Sequence, residues 1–561
     1  MPFEVGAPAH AGQIVVDALV RENVKRLYCL PGSHLLQFYD ALRQAPSIGL
    51  VTCKQEPNAS LMADAYGRLT GEPGVCLLTA GPGGANSIAG VAQAYGAASP
   101  MVHITGSVPL DASREAFHGV DDPDFLVEMF QKVTKWSVRV KRMEDISGVM
   151  AKAFQIARSG RPGPVHVEIP RLTDYSPHLL QEAPIALPEY APQPVEVVAP
   201  NAEDVAQYAR RLLAAKYPVI CAGKGVMRKE AMEELARIAD KFSIPVIYPQ
   251  DAMGVIPEEH PLAVGHYFAF RNNSFMDGVT EKCDLMMFIG LRAATAEVEH
   301  IDPYAPSDRI FIGFDDAEDA HYGDADEIVA DPGMFLSALE EHLAEENGHA
   351  KDEVRKQIAQ GKADLRRQAL GVIQGHESET PVHPALLMEK LAAHIKPDAI
   401  VVSDVGNCQM FARYYVPLTN QFSFMQSGVW NAMSFALPTA IVAKMEYPDR
   451  DVIGLVGDGA FLMTIGDFVT ASEYGANIVM IVLNDGSYGQ IDRQQQNLYG
   501  AAYGCDFKSP NFADMARSFD AFGVRVEDPA ELDEAIEAAL SAGKPAIVEV
   551  MTREQPLPKI S

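Results

Sequence analysis

The stretch Val452–Gly489, VIGLVGDGAFLMTIGDFVTASEYGANIVMIVLNDGSYG, decides how the rest of the chain is read. Val452–Val456 is a short apolar run closed by Gly457-Asp458-Gly459, and Ile478–Leu483 is a second, closed by Asn484-Asp485-Gly486. Between them Thr464–Glu473 carries apolar residues at helical spacing. Strand, acidic turn, helix, strand, acidic turn is a parallel crossover, which puts the carboxyl ends of both strands on one side of the sheet. Ligands of open α/β sheets bind at that edge. Asp458 and Asp485 can therefore converge on one point although a whole helix separates them in sequence.

Two carboxylates beside glycines suit a hard divalent cation. Mg²⁺ commonly takes one or two carboxylates and completes its shell with phosphate oxygens and water. The glycines let backbone N–H groups approach a phosphate closely. Either tripeptide alone is an ordinary turn; the pair at this spacing reads as a metal–diphosphate site. It resembles the thiamine diphosphate motif, and the chain as a whole is similar to the acetohydroxyacid (acetolactate) synthase-like and 2-oxo acid decarboxylase branch of the thiamine diphosphate-dependent enzymes. The resemblance implies an α/β fold of three consecutive doubly wound parallel-sheet domains: a pyrimidine-binding domain over 1–180, a central Rossmann-like domain over 195–345, and a diphosphate- and Mg²⁺-binding domain over 375–561.

Composition fits that scale. At 561 residues two to four domains are expected, and 48% apolar residues allow large cores. A net charge of −29 argues against nucleic-acid and anionic-membrane partners. The seven cysteines are odd in number, scattered and without zinc-site spacing, which suggests reduced thiols and a cytoplasmic protein. No basic-then-apolar leader is visible and no apolar run approaches the ~20 residues a membrane span needs.

Upstream, Ile14, Val15, Ala18 and Leu19 mark the buried face of a first helix, and Arg26–Leu30, Gly49–Lys54, Gly74–Thr79 and Met101–Gly106 read as parallel strands. Glu56 stands just past the second strand, before Pro57 and the helical run Asn58–Leu69. On its own it is a glutamate favouring a helix dipole. KQEPNASLMADAYGRLTG, however, resembles the segment that carries the family's catalytic glutamate, and Glu56 falls on it. Such a carboxyl, hydrogen-bonded to the cofactor's aminopyrimidine, favours the tautomer that removes the thiazolium C2 proton. An apolar, buried setting is expected for it.

The loops PGSH (31–34), GPGG (81–84, with Thr79 and Asn86 nearby) and AFHG (116–119) fall at the same sheet edge. The first resembles the family's active-site loop and makes Ser33 and His34 candidate substrate contacts. In the last, His118 stands where synthases of this branch carry a substrate-facing glutamine, and a histidine there can act as an acid–base group. The departure puts the usual synthase substrate in question.

Ser176–Pro200 reads as a linker. Beyond it, helix Asn201–Ala215, strand Pro218–Gly223, the turn Gly223–Val226, helix Lys229–Phe242 and strands Pro245–Tyr248, Leu285–Gly290 and Arg309–Phe314 make a second α/β pattern. Its GKG turn is short of a full dinucleotide fingerprint. Flavin-binding synthases carry an R-F-D-D-like stretch where this chain has Leu291-Arg292-Ala293-Ala294, so bound FAD is not expected.

Asn347–Glu379 is a charged connector, followed by strand Ala399–Asp404 and Asp404-Val405-Gly406-Asn407, the counterpart of the family's diphosphate-holding DVGQ. Backbone N–H groups there serve a phosphate whatever the side chains. In Ser427–Met433, Met433 matches the bulky residue that wedges the cofactor into its bent shape. Asn431 matches a glycine whose carbonyl meets the 4′-amine, and Trp430 and Asn431 are expected to shape the substrate pocket. Within the opening motif the resemblance assigns Asp458, Asp485 and the Ser487 carbonyl to the metal. It assigns Gly457, Gly459, Ala460 and Gly489 to the cofactor's surroundings. Gln490–Tyr499 is expected as a helix near the pocket mouth, and the terminal EQPLPKIS as a lid or a frayed end.

The expected activity is decarboxylation of a 2-oxo acid with acyl transfer to an acceptor, as in acetolactate synthesis. A non-condensing decarboxylase, related to the benzoylformate decarboxylase branch through the PGS loop, and a 2-hydroxyacyl or aldehyde lyase–carboligase are the alternatives. The resemblance also implies a homodimer or homotetramer with Glu56 and Asp458 of one site supplied by different subunits.

Overall fold

The structure, a computed structural model, describes residues 3–108, 118–170, 184–266, 274–291, 305–314, 325–348, 351–420, 422–553 and 555. Among them are three six-stranded sheets in which every pairing is parallel, with helices in the connections.

The first sheet runs Gly49–Thr52, Arg26–Cys29, Gly74–Leu78, Met101–Ser107, Pro164–Pro170, Trp136–Arg139. Numbered by their order along the chain, its strands stand 2-1-3-4-6-5. The last sheet runs Met425–Gln426, Ile400–Ser403, Val452–Gly457, Val479–Asn484, Ala546–Met551, Phe522–Val526, which is again 2-1-3-4-6-5. The middle sheet runs Ala263–His266, Val246–Tyr248, Pro218–Ala222, Leu285–Ile289, Arg309–Gly313, Asp326–Val329. That is 3-2-1-4-5-6, the dinucleotide-fold order.

In each order the chain reverses direction across strand 1, and a crevice opens at the carboxyl ends of the strands flanking that reversal. In the last sheet those strands are Ile400–Ser403 and Val452–Gly457, so Asp404–Asn407 and Gly457–Ala460 share the crevice. In the first they are Arg26–Cys29 and Gly74–Leu78, so the loops after them, 31–34 and 79–84, share it.

The strand cores are near-continuous apolar runs, as sheets covered on both faces require. Leu285–Ile289 and Val479–Leu483 are buried throughout. Two histidines of the first sheet lie inside and are bonded. His103 sits between Cys76 Sγ (2.7 Å) and Ser87 Oγ (3.0 Å), and His166 between Thr105 Oγ1 (2.8 Å) and Ser137 Oγ (2.9 Å). Burial keeps both imidazoles neutral, pushing His103 down to about 3 and His166 well below its ordinary value. All seven cysteines are free thiols.

The chain divides into two compact units: Met1–Glu196 with Trp430–Pro448 and Met463–Ala476, and Val197–Val429 with Asp449–Leu462 and Asn477–Ser561. In the first unit the helix Glu56–Thr70 packs against Ala436–Glu446. Arg26 ties that neighbour down through Glu446 (2.9 Å) and the Met445 carbonyl (2.8 Å), and Tyr447 donates to the Leu69 carbonyl (2.9 Å).

Several boundaries differ from the sequence reading. Helix begins at Asp458 itself, as Asp458–Thr464, and continues through a short 3₁₀ turn into Phe468–Glu473. The expected linker holds a strand, Ile185–Ala186, paired antiparallel with Pro8–Ala9. The connector contains one long helix, Asp352–Ile373. Strands Trp136–Arg139, Pro164–Pro170, Ala263–His266 and Asp326–Val329 were not expected. Residues 292–294 and 116–117, and most of the terminal EQPLPKIS, lie outside the described residues.

Candidate active site

Three loops of the second unit meet at the switch point of the last sheet. Asp458 follows the strand Val452–Gly457 as the first residue of the helix Asp458–Thr464 and is 1% exposed. Its Oδ2 accepts the Gly486 N–H (2.9 Å) and its Oδ1 the Gly459 N–H (2.9 Å), so this carboxylate holds the two acidic turns together as the crossover implies. Burial pushes Asp458 up from the ordinary carboxylate value, and the N–H groups of Gly486 and Gly459 pull it back. Asp485 is half-buried and accepts the Ser487 N–H (3.1 Å). The turn is stitched to the segment beyond it by Tyr488 N–H to the Cys505 carbonyl (3.0 Å) and Phe507 N–H to the Gly486 carbonyl (2.9 Å).

Among the described residues the edge is open where a ligand would lie: a Cβ placed on Gly406 or Gly457 would meet none of their atoms within 4 Å. On Gly459 it would come within 2.7 Å of the Tyr488 ring, so that glycine is needed for packing. Asn407 begins the helix Asn407–Tyr415 and accepts Arg493 Nη1 (3.0 Å) from the helix Gly489–Tyr499, an arginine the sequence reading did not single out. Ala460 and Gly489 are buried and Ser487 half-buried at the same edge. Among the described residues no group of three or more His, Cys, Asp or Glu side chains could hold a metal. Two carboxylates, glycine N–H groups and open space fit a hard cation whose remaining ligands are diphosphate oxygens and water.

The Ser427–Met433 loop turns sharply. Asn431 has φ +57° and Ser434 φ +77°. Asparagine tolerates this left-handed region better than most residues, which explains physically how Asn431 can stand where a glycine is usual. Asn431 is exposed and Met433 half-buried, and Trp430 (52% exposed) lies against Gly96, whose Cβ position is 3.5 Å from the Trp430 Cβ.

The first unit gathers a second set of groups at its own switch point. His34, 4% exposed, and His118 have ring centroids 5.0 Å apart. Ser33 is exposed, and its Oγ is 3.5 Å from His34 Nδ1. His118 has φ +68° and its carbonyl oxygen lies only 2.1 Å from where a Cβ on Gly81 would be. The first glycine of GPGG, itself at φ +59°, is thus what lets the His118 backbone pack against it. Gly32 similarly allows the Thr79 side chain to approach. Glu56 heads the helix Glu56–Thr70 and its Oε2 accepts Asn86 Nδ2 (3.3 Å). Within a single chain Glu56 is half-buried, more exposed than the enclosed setting expected for it.

In the middle sheet the Gly223–Val226 turn is engaged with its neighbour. Gly223 N–H bonds the Ile289 carbonyl (2.8 Å), Gly225 N–H the Gly290 carbonyl (2.9 Å), and a Cβ on Gly223 would lie 2.5 Å from that oxygen.

Three parallel sheets, two of identical strand order, and an acidic glycine-lined crevice at the last one define a diphosphate-binding α/β protein. Comparison with known families places the thiamine pyrophosphate enzyme N-terminal TPP binding domain on residues 9–131, the central domain on 205–339 and the C-terminal TPP binding domain on 404–550. The chain is 31% identical to a probable acetolactate synthase large subunit of Methanocaldococcus jannaschii, across 96% of this chain and 91% of that one. It is 30% identical to the acetolactate synthase isozyme 3 large subunit of Escherichia coli, across 94% and 92%. The chain belongs to the thiamine diphosphate-dependent enzymes, in their acetolactate synthase-like branch. Among the described residues no helix is long and apolar enough to cross a membrane.

Proposed function

We propose that this enzyme decarboxylates a 2-oxo acid and transfers the remaining acyl group to a carbonyl acceptor, as in acetolactate formation. The observation that carries the site assignment is the Asp458 carboxylate bridging the two acidic turns beside open glycine backbone. Thiamine diphosphate, when bound, supplies the carbon centre that accepts the electrons released as CO₂ leaves. Asp458, Asp485 and the Ser487 carbonyl would hold Mg²⁺ and, through it, the diphosphate. The N–H groups of Gly459 and Ala460, at the start of the helix Asp458–Thr464, would face the phosphate oxygens. Met433 would wedge the bent cofactor, with the Asn431 carbonyl beside its amine and Gly406 and Asn407 lining the phosphate side.

Glu56 would hold and return the proton at the aminopyrimidine, with Asn86 orienting its carboxyl (3.3 Å). Ser33, His34 and His118 would face the substrate. Imidazole nitrogens both donate and accept hydrogen bonds, so the pair can meet the substrate's carboxylate before CO₂ leaves and the new hydroxyl afterwards. A flavin has no part in this reading, since the Gly223 and Gly225 N–H groups are already engaged.

Glu56 and Asp458 belong to different compact units. We place them in one site by pairing two subunits, at least a dimer, each contributing one of the two. Support comes from the exposed apolar residues Ile491, Leu498, Tyr499 and Tyr503 following the second acidic turn, a surface that a subunit contact would cover.

The His34–His118 pair also favours a second reading, because a proton donor at the acyl carbon converts transfer into simple decarboxylation to an aldehyde. Carbon NMR of products from labelled pyruvate, with protein saturated in thiamine diphosphate and Mg²⁺, separates them. Acetolactate supports the synthase, and acetaldehyde alone supports the decarboxylase. Untouched pyruvate overturns it as the donor for both.

A further inference from the structure

We propose that Asp467 is the positioning residue for Glu56. The inference rests on the reading of Glu56 as the proton-handling carboxyl. Asp467 follows the GDG turn on the same crossover, on the 3₁₀ turn Ile465–Asp467, and is fully buried. A buried carboxylate has to be matched by donors, and the donors here come from either side of Glu56. Asp467 Oδ1 accepts the backbone N–H of Lys54 (2.8 Å), two residues before it. Asp467 Oδ2 accepts Asn58 Nδ2, two residues after it. Thr470 Oγ1 completes the set, donating to Oδ1 (2.8 Å).

The grip extends along the helix that follows, Phe468–Glu473, to its cap Tyr474. Tyr474 accepts the Thr52 N–H at its hydroxyl (2.9 Å), and Glu473 receives Lys54 Nζ (2.7 Å). From the opposite side Ser60 Oγ donates to the Ser87 carbonyl (2.9 Å), next to Asn86, which meets Glu56 itself. Glu56 thus stands at a strand-to-helix junction whose two flanks are fixed by one carboxylate, while its own side chain is left free of that network. Asp467 touches neither cofactor nor substrate in this account. It sets the place from which Glu56 reaches the ring.

An asparagine at this position keeps the size but offers one acceptor oxygen to three donors. Alanine removes all of them. A reacting group misplaced by ~1 Å can lose on the order of 100-fold in rate. The test uses the full-length enzyme with thiamine diphosphate and Mg²⁺, as wild type, Glu56→Gln, Asp467→Ala and Asn58→Ala. Three quantities are read: exchange of the cofactor's C2 proton, the cofactor dissociation constant by fluorescence titration, and backbone amide exchange of the peptide spanning residues 49–60. Asp467→Ala should slow C2 exchange roughly 100-fold and speed amide exchange at 52–58, while the dissociation constant moves by less than about tenfold. Asn58→Ala, which leaves the carboxylate and its other partners in place, should move both exchange readouts in the same directions by less. It also decides the matter if Asp467→Ala does not fold.

Wild-type C2 exchange in both variants, with Glu56→Gln inactive, overturns the positioning role and leaves the Glu56 reading standing. Wild-type exchange in Glu56→Gln overturns that reading and this one with it. A loss of exchange in Asp467→Ala matched by a comparable loss of cofactor affinity and no local change in amide exchange also overturns the proposal, because the defect would then lie in the binding edge.

Discussion

Replacing Asp458 by alanine should weaken cofactor binding far more than it weakens the fold. In the structure its two oxygens accept the N–H groups of Gly459 and Gly486, and the proposed Mg²⁺ takes the same carboxylate. Two unit charges ~4 Å apart at an effective dielectric of 20 interact by about 4 kcal/mol. Water entering the vacated position recovers part of that, so about 2–4 kcal/mol is lost. At 1.4 kcal/mol per factor of ten, the apparent dissociation constant rises roughly 30- to 700-fold. The assay is a fluorescence titration of the apoprotein with thiamine diphosphate at fixed Mg²⁺, alongside thermal melting of the apoprotein. Raising Mg²⁺ should rescue part of the loss, since the missing ligand is the metal's. A dissociation constant within about threefold of wild type would show that the two acidic turns are structural.

His118→Ala should lower kcat roughly 100-fold, the usual scale for a lost acid–base group, with the cofactor dissociation constant unchanged; steady-state kinetics beside the same titration checks both. Gly81→Ala places a Cβ 2.1 Å from the His118 carbonyl at φ +59°. It should cost at least about 1–3 kcal/mol of stability and depress activity by moving His118, as melting and kinetics together will report. Glu168 is buried beside Arg139 (3.7 Å), and burial pushes its carboxyl up to about 7. Its folded value lies above its unfolded one, so its contribution to stability is full at low pH and is lost as pH rises through about 7. Denaturant midpoints of Glu168→Gln should therefore fall less between pH 5 and pH 8 than those of wild type, and parallel curves would refute the assignment.

What the sequence made legible were features that physics marks locally. Val452–Val456 and Ile478–Leu483 are apolar runs of strand length closed by glycine and acid, and both are strands in the last sheet, their acidic ends joined through Asp458 and Gly486. Helix Lys229–Phe242 has the predicted bounds, since its apolar spacing is clean and Ser243 stops it in the left-handed region. Pro164–Pro170 escaped because His166 and Glu168 interrupt its apolar pattern; both are buried within the sheet, His166 bonded to hydroxyls and Glu168 beside Arg139. Asp326–Val329 is an edge strand with a single buried residue, and such strands lack a full apolar stripe. Asp467 gave no signal at all. An aspartate before a helix normally reads as a favourable helix start, and only long-range contact reveals that it serves Lys54 and Asn58 instead.

The most direct test of the account is exchange of the C2 proton of bound thiamine diphosphate for deuterium, followed by quench and proton NMR, in wild type and in Glu56→Gln. The substitution keeps the volume of the side chain and an acceptor for Asn86 Nδ2, so the fold and the titrated cofactor affinity should be retained. Exchange should be fast in the wild type and should fall to near the rate of the free cofactor in the variant. Equal exchange in the two proteins would contradict the account, because Glu56 would then have no part in handling the proton.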